Sequence, residues 1–114
     1  DELAYARLLG DRRARTVFVD PPYNVPIDGH VSGLGRRRHG EFAMASGEMS
    51  ETEFVHFLEN ALRHHAAFSV DGAIHFVCMD WRHLGELLAA GRPVYSECKN
   101  LCVWEKTNAG MGSM

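Results

Sequence analysis

Two consecutive prolines, Pro21 and Pro22, stand one residue beyond Thr16-Val17-Phe18-Val19, and they limit what this chain can build more than any other feature. The short β-branched and aromatic run before them is typical of a strand covered on both faces. Proline has no backbone N–H, so two in succession remove two ladder donors and end the strand at Asp20. Asp20 is thereby set at the carboxyl end of a core strand. In open α/β sheets ligands bind beyond that end.

The elements around this point alternate. Leu3, Ala4, Leu8 and Leu9 fall at helical spacing ahead of Gly10, which suits a helix C-terminus. Residues 24–49 hold five glycines (Gly29, Gly33, Gly35, Gly40 and Gly47) and little periodicity, which predicts a long, mobile loop. Ser50 and Glu53 form a capping box, and Phe54, Phe57, Leu58, Ala61, Leu62 and His65 share one face, so a helix is predicted over about 51–67. Asp71-Gly72 predicts a turn, and Ala73 to Met79 a second buried strand. Leu84, Leu87 and Leu88 line a further helix stopped by Gly91 and Pro93, and a third strand is expected at Leu101 to Glu105. This order is that of a parallel sheet with right-handed crossovers.

Three strands are few for a doubly wound sheet. The chain also starts without Met and ends in the loop-like stretch Asn108 to Met114, with no repeat and no linker between. The expectation is one internal part, residues 1–114, of a single larger domain.

Composition excludes several classes. With 46% hydrophobic and 24% charged residues the profile is globular rather than disordered or fibrous. No apolar run approaches the roughly 20 residues of a membrane helix, and no signal peptide opens the chain, so a cytoplasmic protein without a membrane partner is expected. Cys78, Cys98 and Cys102 are odd in number and lack a framework, which predicts free thiols. Cys98 and Cys102 have no second ligand pair, so no metal is expected. The net charge of −3 gives no sign of nucleic-acid binding, but Arg36-Arg37-Arg38-His39 is a compact basic run. By itself it reads as a solvated loop; beside a nucleic-acid site it would serve phosphate contacts.

Asp20-Pro21-Pro22-Tyr23 after a core strand resembles the signature of the amino-methyltransferases, an acidic or amide residue followed by Pro-Pro-Tyr. Ala73 to Trp81 occupies the place of the strand that follows this unit in that family. Trp104-Glu105-Lys106-Thr107-Asn108 resembles its Trp-x-Lys-x-Asn segment at the target-base pocket. The chain thus looks like the catalytic half of a β-class enzyme, in which Pro-Pro-Tyr precedes the cofactor motif. The Phe-x-Gly-x-Gly cofactor loop and a target-recognition region do not occur in it.

The resemblance implies a Rossmann-like α/β methyltransferase fold, S-adenosylmethionine as cofactor and double-stranded DNA as partner, with nucleoid association through the DNA. It leaves open whether the protein is a homodimer. Asp20, Pro21, Pro22 and Tyr23 would be catalytic, with Asp20 also at the cofactor's edge. Asn24, Arg36, Arg37, Arg38, Trp104, Lys106 and Asn108 would contact substrate. The chemistry suits these residue types. An exocyclic amine on adenine or cytosine is a poor nucleophile because its lone pair is delocalised into the ring. A carboxylate at Asp20 and the Pro21 carbonyl can accept its two hydrogens and turn the lone pair toward the methyl donor, without a covalent enzyme intermediate. Tyr23 would stack on the extruded base. Asp before Pro-Pro-Tyr goes mostly with adenine N6 in that family, with cytosine N4 as the alternative. RNA or protein-glutamine substrates, or a binding module without a working cofactor site, stay open. Pro-Pro-Tyr as a polyproline ligand fits less well, because such a segment would not follow a buried strand. Trp81 reads as a packing residue, Trp104 equally as core or pocket, and His64, His65, His75 and His83 receive no role.

Overall fold

The computed structural model describes residues 2–26 and 43–105. In chain order these form α1 (Glu2–Leu9), β1 (Ala14–Val19), α2 (Glu51–Ala67), β2 (Ser69–Val77), a 3₁₀ turn (Trp81–His83) and α3 (Leu84–Gly91). β1 and β2 pair in parallel and α2 lies between them in sequence, giving a small α/β fold with flanking helices.

The core follows from α2. Ser50 Oγ accepts the Glu53 N–H while the Glu53 carboxylate accepts the Ser50 N–H at 2.9 Å, so the expected capping box is formed. From that start Phe54, Leu58 and Leu62 fall one helical turn apart and are fully buried, with Phe57, Ala61 and His65 half-buried beside them. Burial of each large side chain contributes about 1.5–3 kcal/mol. Ala45 and Ala90 complete the buried set, and Leu87, Val77 and Met79 pack around it.

α1 docks by a residue the periodicity passes over. Leu3 and Leu8 are exposed, whereas Tyr5 stacks on His64 and Phe68 at ring separations of 5.8 and 5.5 Å and meets His65 edge-on. Tyr5 and Leu9, one turn apart, are the half-buried positions of this eight-residue helix, and its other positions are exposed. Gly10 ends the helix as expected, at φ +56° with its N–H on the Ala6 carbonyl.

Three strand expectations need correction. β1 is covered on one face only: Val17 and Val19 are half-buried, while Phe18 is 71% exposed and stands 6.3 Å from Phe76, itself exposed, on the open face. β2 begins at Ser69, before Asp71-Gly72, so that pair is an irregularity inside the strand instead of a turn ahead of it. Ala14 faces Ser69 but Thr16 faces Ile74, and Gly72 at φ +77° accommodates the surplus residues of β2. Residues 101–105 form no strand. They have no ladder partner among the described residues, and Leu101 and Val103 are exposed.

Behind α3 the chain is tied to β2. The Tyr95 hydroxyl lies 2.8 Å from His75 Nδ1, and His75 Nε2 lies 3.0 Å from Ser69 Oγ, which donates to the His65 carbonyl at 2.7 Å. Because the Ser69 proton is used there, a neutral His75 donates from Nε2 and accepts from Tyr95 at Nδ1.

Candidate functional site

Parallel strands bring their carboxyl ends to one edge, and here the pairing is in step. Val19 is opposite Val77, and the next N–H, that of Cys78, donates to the Val19 carbonyl at 2.9 Å. Asp20 and Cys78 therefore emerge side by side. Asp20 is exposed, and Pro21, Pro22 and Tyr23 are half-buried. Pro22 has no N–H to continue the ladder, which frees the segment to leave the sheet.

The Tyr23 hydroxyl donates a short hydrogen bond to Asp20 Oδ1, the one hydrogen bond made by that carboxylate among the described residues. Burial, then that hydrogen bond, then the charges of Asp20, Cys78 and Asp80 raise the pKa of the Tyr23 phenol far above its ordinary value. Tyr23 is thus a committed donor, and the second Asp20 oxygen remains an acceptor. Beneath the motif a cleft of about 290 Å³ runs between the sheet edge and α2, lined by Val19, Asp20, Pro21, Pro22, Phe57 and Leu58 among others.

Asn24 has a different occupation from the one expected. It is buried, sits at φ +54°, accepts the N–H groups of Gly47 and Met49 at 3.1 and 3.2 Å, and donates to the Met49 carbonyl at 2.8 Å. Three of its four hydrogen-bonding positions are committed to the loop. Residues 24–26 and 45–49 are consequently stitched together, with Pro26 packed on Gly47. Of the predicted long loop, residues 27–42 lie outside the described residues, and with them Arg36, Arg37 and Arg38.

Trp104 is 87% exposed and so is not a core residue, and Lys106 and Asn108 lie outside the described residues. The site instead gains two residues that motif reading passed over. The Cys78 thiol adjoins Asp20, and burial first and the Asp20 charge second push its pKa up. The Asp80 carboxylate bonds Arg82 through both oxygens, at 2.9 and 2.8 Å, and this pairing holds its pKa below the ordinary value. The strand-end parity of Asp20 and Cys78 was the available signal, once β1 and β2 are paired in register. Cys78, Cys98 and Cys102 are free thiols. No cluster of three metal-ligating side chains occurs, and no helix is long and apolar enough to cross a membrane, among the described residues.

No protein-family model, curated protein or solved structure matches this chain.

Proposed function

We propose that this chain forms the base-holding side of a Rossmann-like, S-adenosylmethionine-dependent DNA amino-methyltransferase that acts on adenine N6. The observation that carries the reading is the placement of Asp20: a carboxylate at the carboxyl end of a parallel strand, bonded on one oxygen by Tyr23 and followed by a proline carbonyl.

These residues fit the acceptor half of the reaction. The second Asp20 oxygen and the Pro21 carbonyl are the acceptors for the two amine hydrogens, and Tyr23 supplies an aromatic face and holds the carboxylate in orientation. Holding the amine this way sharpens its lone pair by positioning and electrostatics, the large contributors to catalysis of this kind. The donor half is another matter. Neither described strand ends in a glycine-rich turn, β1 leading into Asp20-Pro21-Pro22 and β2 into Cys78-Met79-Asp80, so the described residues do not form a cradle for the cofactor. When bound, it would supply the methyl group.

The test is methyl transfer from labelled S-adenosylmethionine to double-stranded DNA, with digestion to nucleosides and mass analysis. N6-methyladenine is expected, and Asp20→Ala lowers the rate on the order of 10²–10³-fold. Near wild-type turnover in that variant removes Asp20 from the mechanism. N4-methylcytosine alone would overturn the adenine assignment and keep the chemistry.

A further inference from the structure

Trp81 opens the 3₁₀ turn behind β2, and its side chain is 76% exposed where packing was expected. The backbone on either side of it is fixed. Asp80 caps the turn by accepting the Arg82 N–H at 2.8 Å and clamps the Arg82 guanidinium with both oxygens. At the far end His83 bonds Glu86 at 2.7 Å and sets its ring edge against the buried Phe54 at 5.2 Å. The turn is anchored to the core at one end and braced by an ion pair at the other, and the indole between them stands in solvent. Such a surface is preorganised: little ordering remains to be done when a flat ligand arrives. Trp104 is also exposed but sits in a stretch without regular structure, so it lacks this bracing.

Location and charge narrow the occupant. Val77 pairs with Val19, so the chain leaving β2 toward Trp81 emerges at the same edge as Asp20 and Tyr23, and the Asp80 charge acts on the Tyr23 phenol. The Asp80 charge is met by Arg82 on both oxygens, which leaves Asp20, bonded by Tyr23 on one oxygen only, as the carboxylate acceptor at this edge. It favours groups that bring hydrogen-bond donors without negative charge. A nucleobase does so, with an amino edge for a carboxylate and a π face for an indole, while its phosphate lies elsewhere.

We propose that Trp81 is a stacking platform for an unpaired base of the nucleic-acid substrate, adjoining the base held at Asp20. This rests on the nucleic-acid reading above and adds to it a binding residue outside the Pro-Pro-Tyr motif.

The test uses Trp104→Phe, which leaves Trp81 as the sole tryptophan of the two. Short single-stranded oligo(dA) is titrated at low salt, read by indole fluorescence and, with a labelled strand, by anisotropy. Saturable quenching of Trp81 is expected with the same midpoint as the anisotropy. Trp81→Ala should weaken binding between about fivefold and about 150-fold, the range for loss of one base–aromatic stack, and Trp81→Phe should restore most of it. Because the indole is exposed, unchanged circular dichroism in Trp81→Ala separates lost stacking from lost fold. Oligo(dA) binding with equal affinity by wild type and Trp81→Ala overturns the stacking role and leaves the methyltransferase reading standing. No binding of single- or double-stranded DNA by the unmodified protein overturns both.

Discussion

Asn24 and Met49, 25 residues apart, exchange two hydrogen bonds, amide to carbonyl at 2.8 Å and N–H to amide oxygen at 3.2 Å. Asn24 follows Tyr23 directly and Met49 precedes the Ser50 cap of α2. One side chain thus fixes the exit of the Pro-Pro-Tyr segment to the start of the helix that builds the core. Asparagine suits the place because it tolerates positive φ and offers both a donor and an acceptor.

Asn24→Ala should therefore destabilise the chain by about 2–4 kcal/mol, since it strands loop N–H groups and puts alanine at positive φ. Asn24→Asp keeps both acceptor bonds and tolerates positive φ, and should recover more than half of that loss. Urea unfolding reads both. A cost for Asn24→Ala as small as that of an exposed substitution would show that the clasp contributes nothing.

Gly47 and Gly72 separate steric closeness from backbone strain. Both have positive φ, but a Cβ on Gly47 would come within 2.7 Å of the Pro26 ring, whereas Gly72 faces open space. Gly72→Ala should cost about 1–2 kcal/mol from backbone strain alone. Gly47→Ala should cost more, about 2–4 kcal/mol, because a proline ring cannot swing aside. Equal thermal shifts for the two variants would contradict the Pro26 contact.

The histidines predict an acid-side weakness. Burial lowers the pKa of His65, with the His75 and His64 charges adding to it, and burial lowers that of His75. Tyr5, Ser69 and Tyr95 face this pair and supply no negative charge at neutral pH. Each folded pKa lies below the unfolded one, so the unfolded chain binds more protons in the window between them. The stabilisation is present above about pH 6.5 and is lost as pH falls through the folded values. The melting temperature should drop between about pH 7.5 and about pH 5, and less so in His75→Gln. An unchanged slope in that variant would remove His75 from the effect.

The tyrosines predict the opposite limit. Burial raises Tyr5, pushes Tyr95 up to about 12 and is the largest of the causes raising Tyr23. The neutral phenols are the ones the fold favours, so their contribution is intact below about pH 10 and is lost as pH rises through the folded values. Tyrosinate absorbance of the native chain at about pH 11 should lie well below that in urea. Asp20→Ala should move one of the three tyrosines part of the way back, because burial remains after the hydrogen bond and charge are gone. A native titration curve identical in that variant would mean that Tyr23 does not bond Asp20.

What the sequence determined by itself is what short-range physics controls. The end of β1 at Asp20 follows from two missing N–H donors, the start of α2 from Ser50 and Glu53, its buried face from the spacing of Phe54, Leu58 and Leu62, and the end of α1 from Gly10. Each rule acts within a few residues. Tertiary structure decided the rest, because burial and pairing depend on partners far along the chain. Tyr5 rather than Leu3 or Leu8 docks α1, since the complementary rings arrive from the end of α2. Phe18 and Phe76 share an open face that apolar composition alone cannot distinguish from a covered one. Asn24 is occupied by Gly47 and Met49, and Trp81 is held in water by bonds that its neighbours make. Leu101 to Glu105 has the composition of a strand, yet a strand exists only where another offers it a ladder, and among the described residues none does.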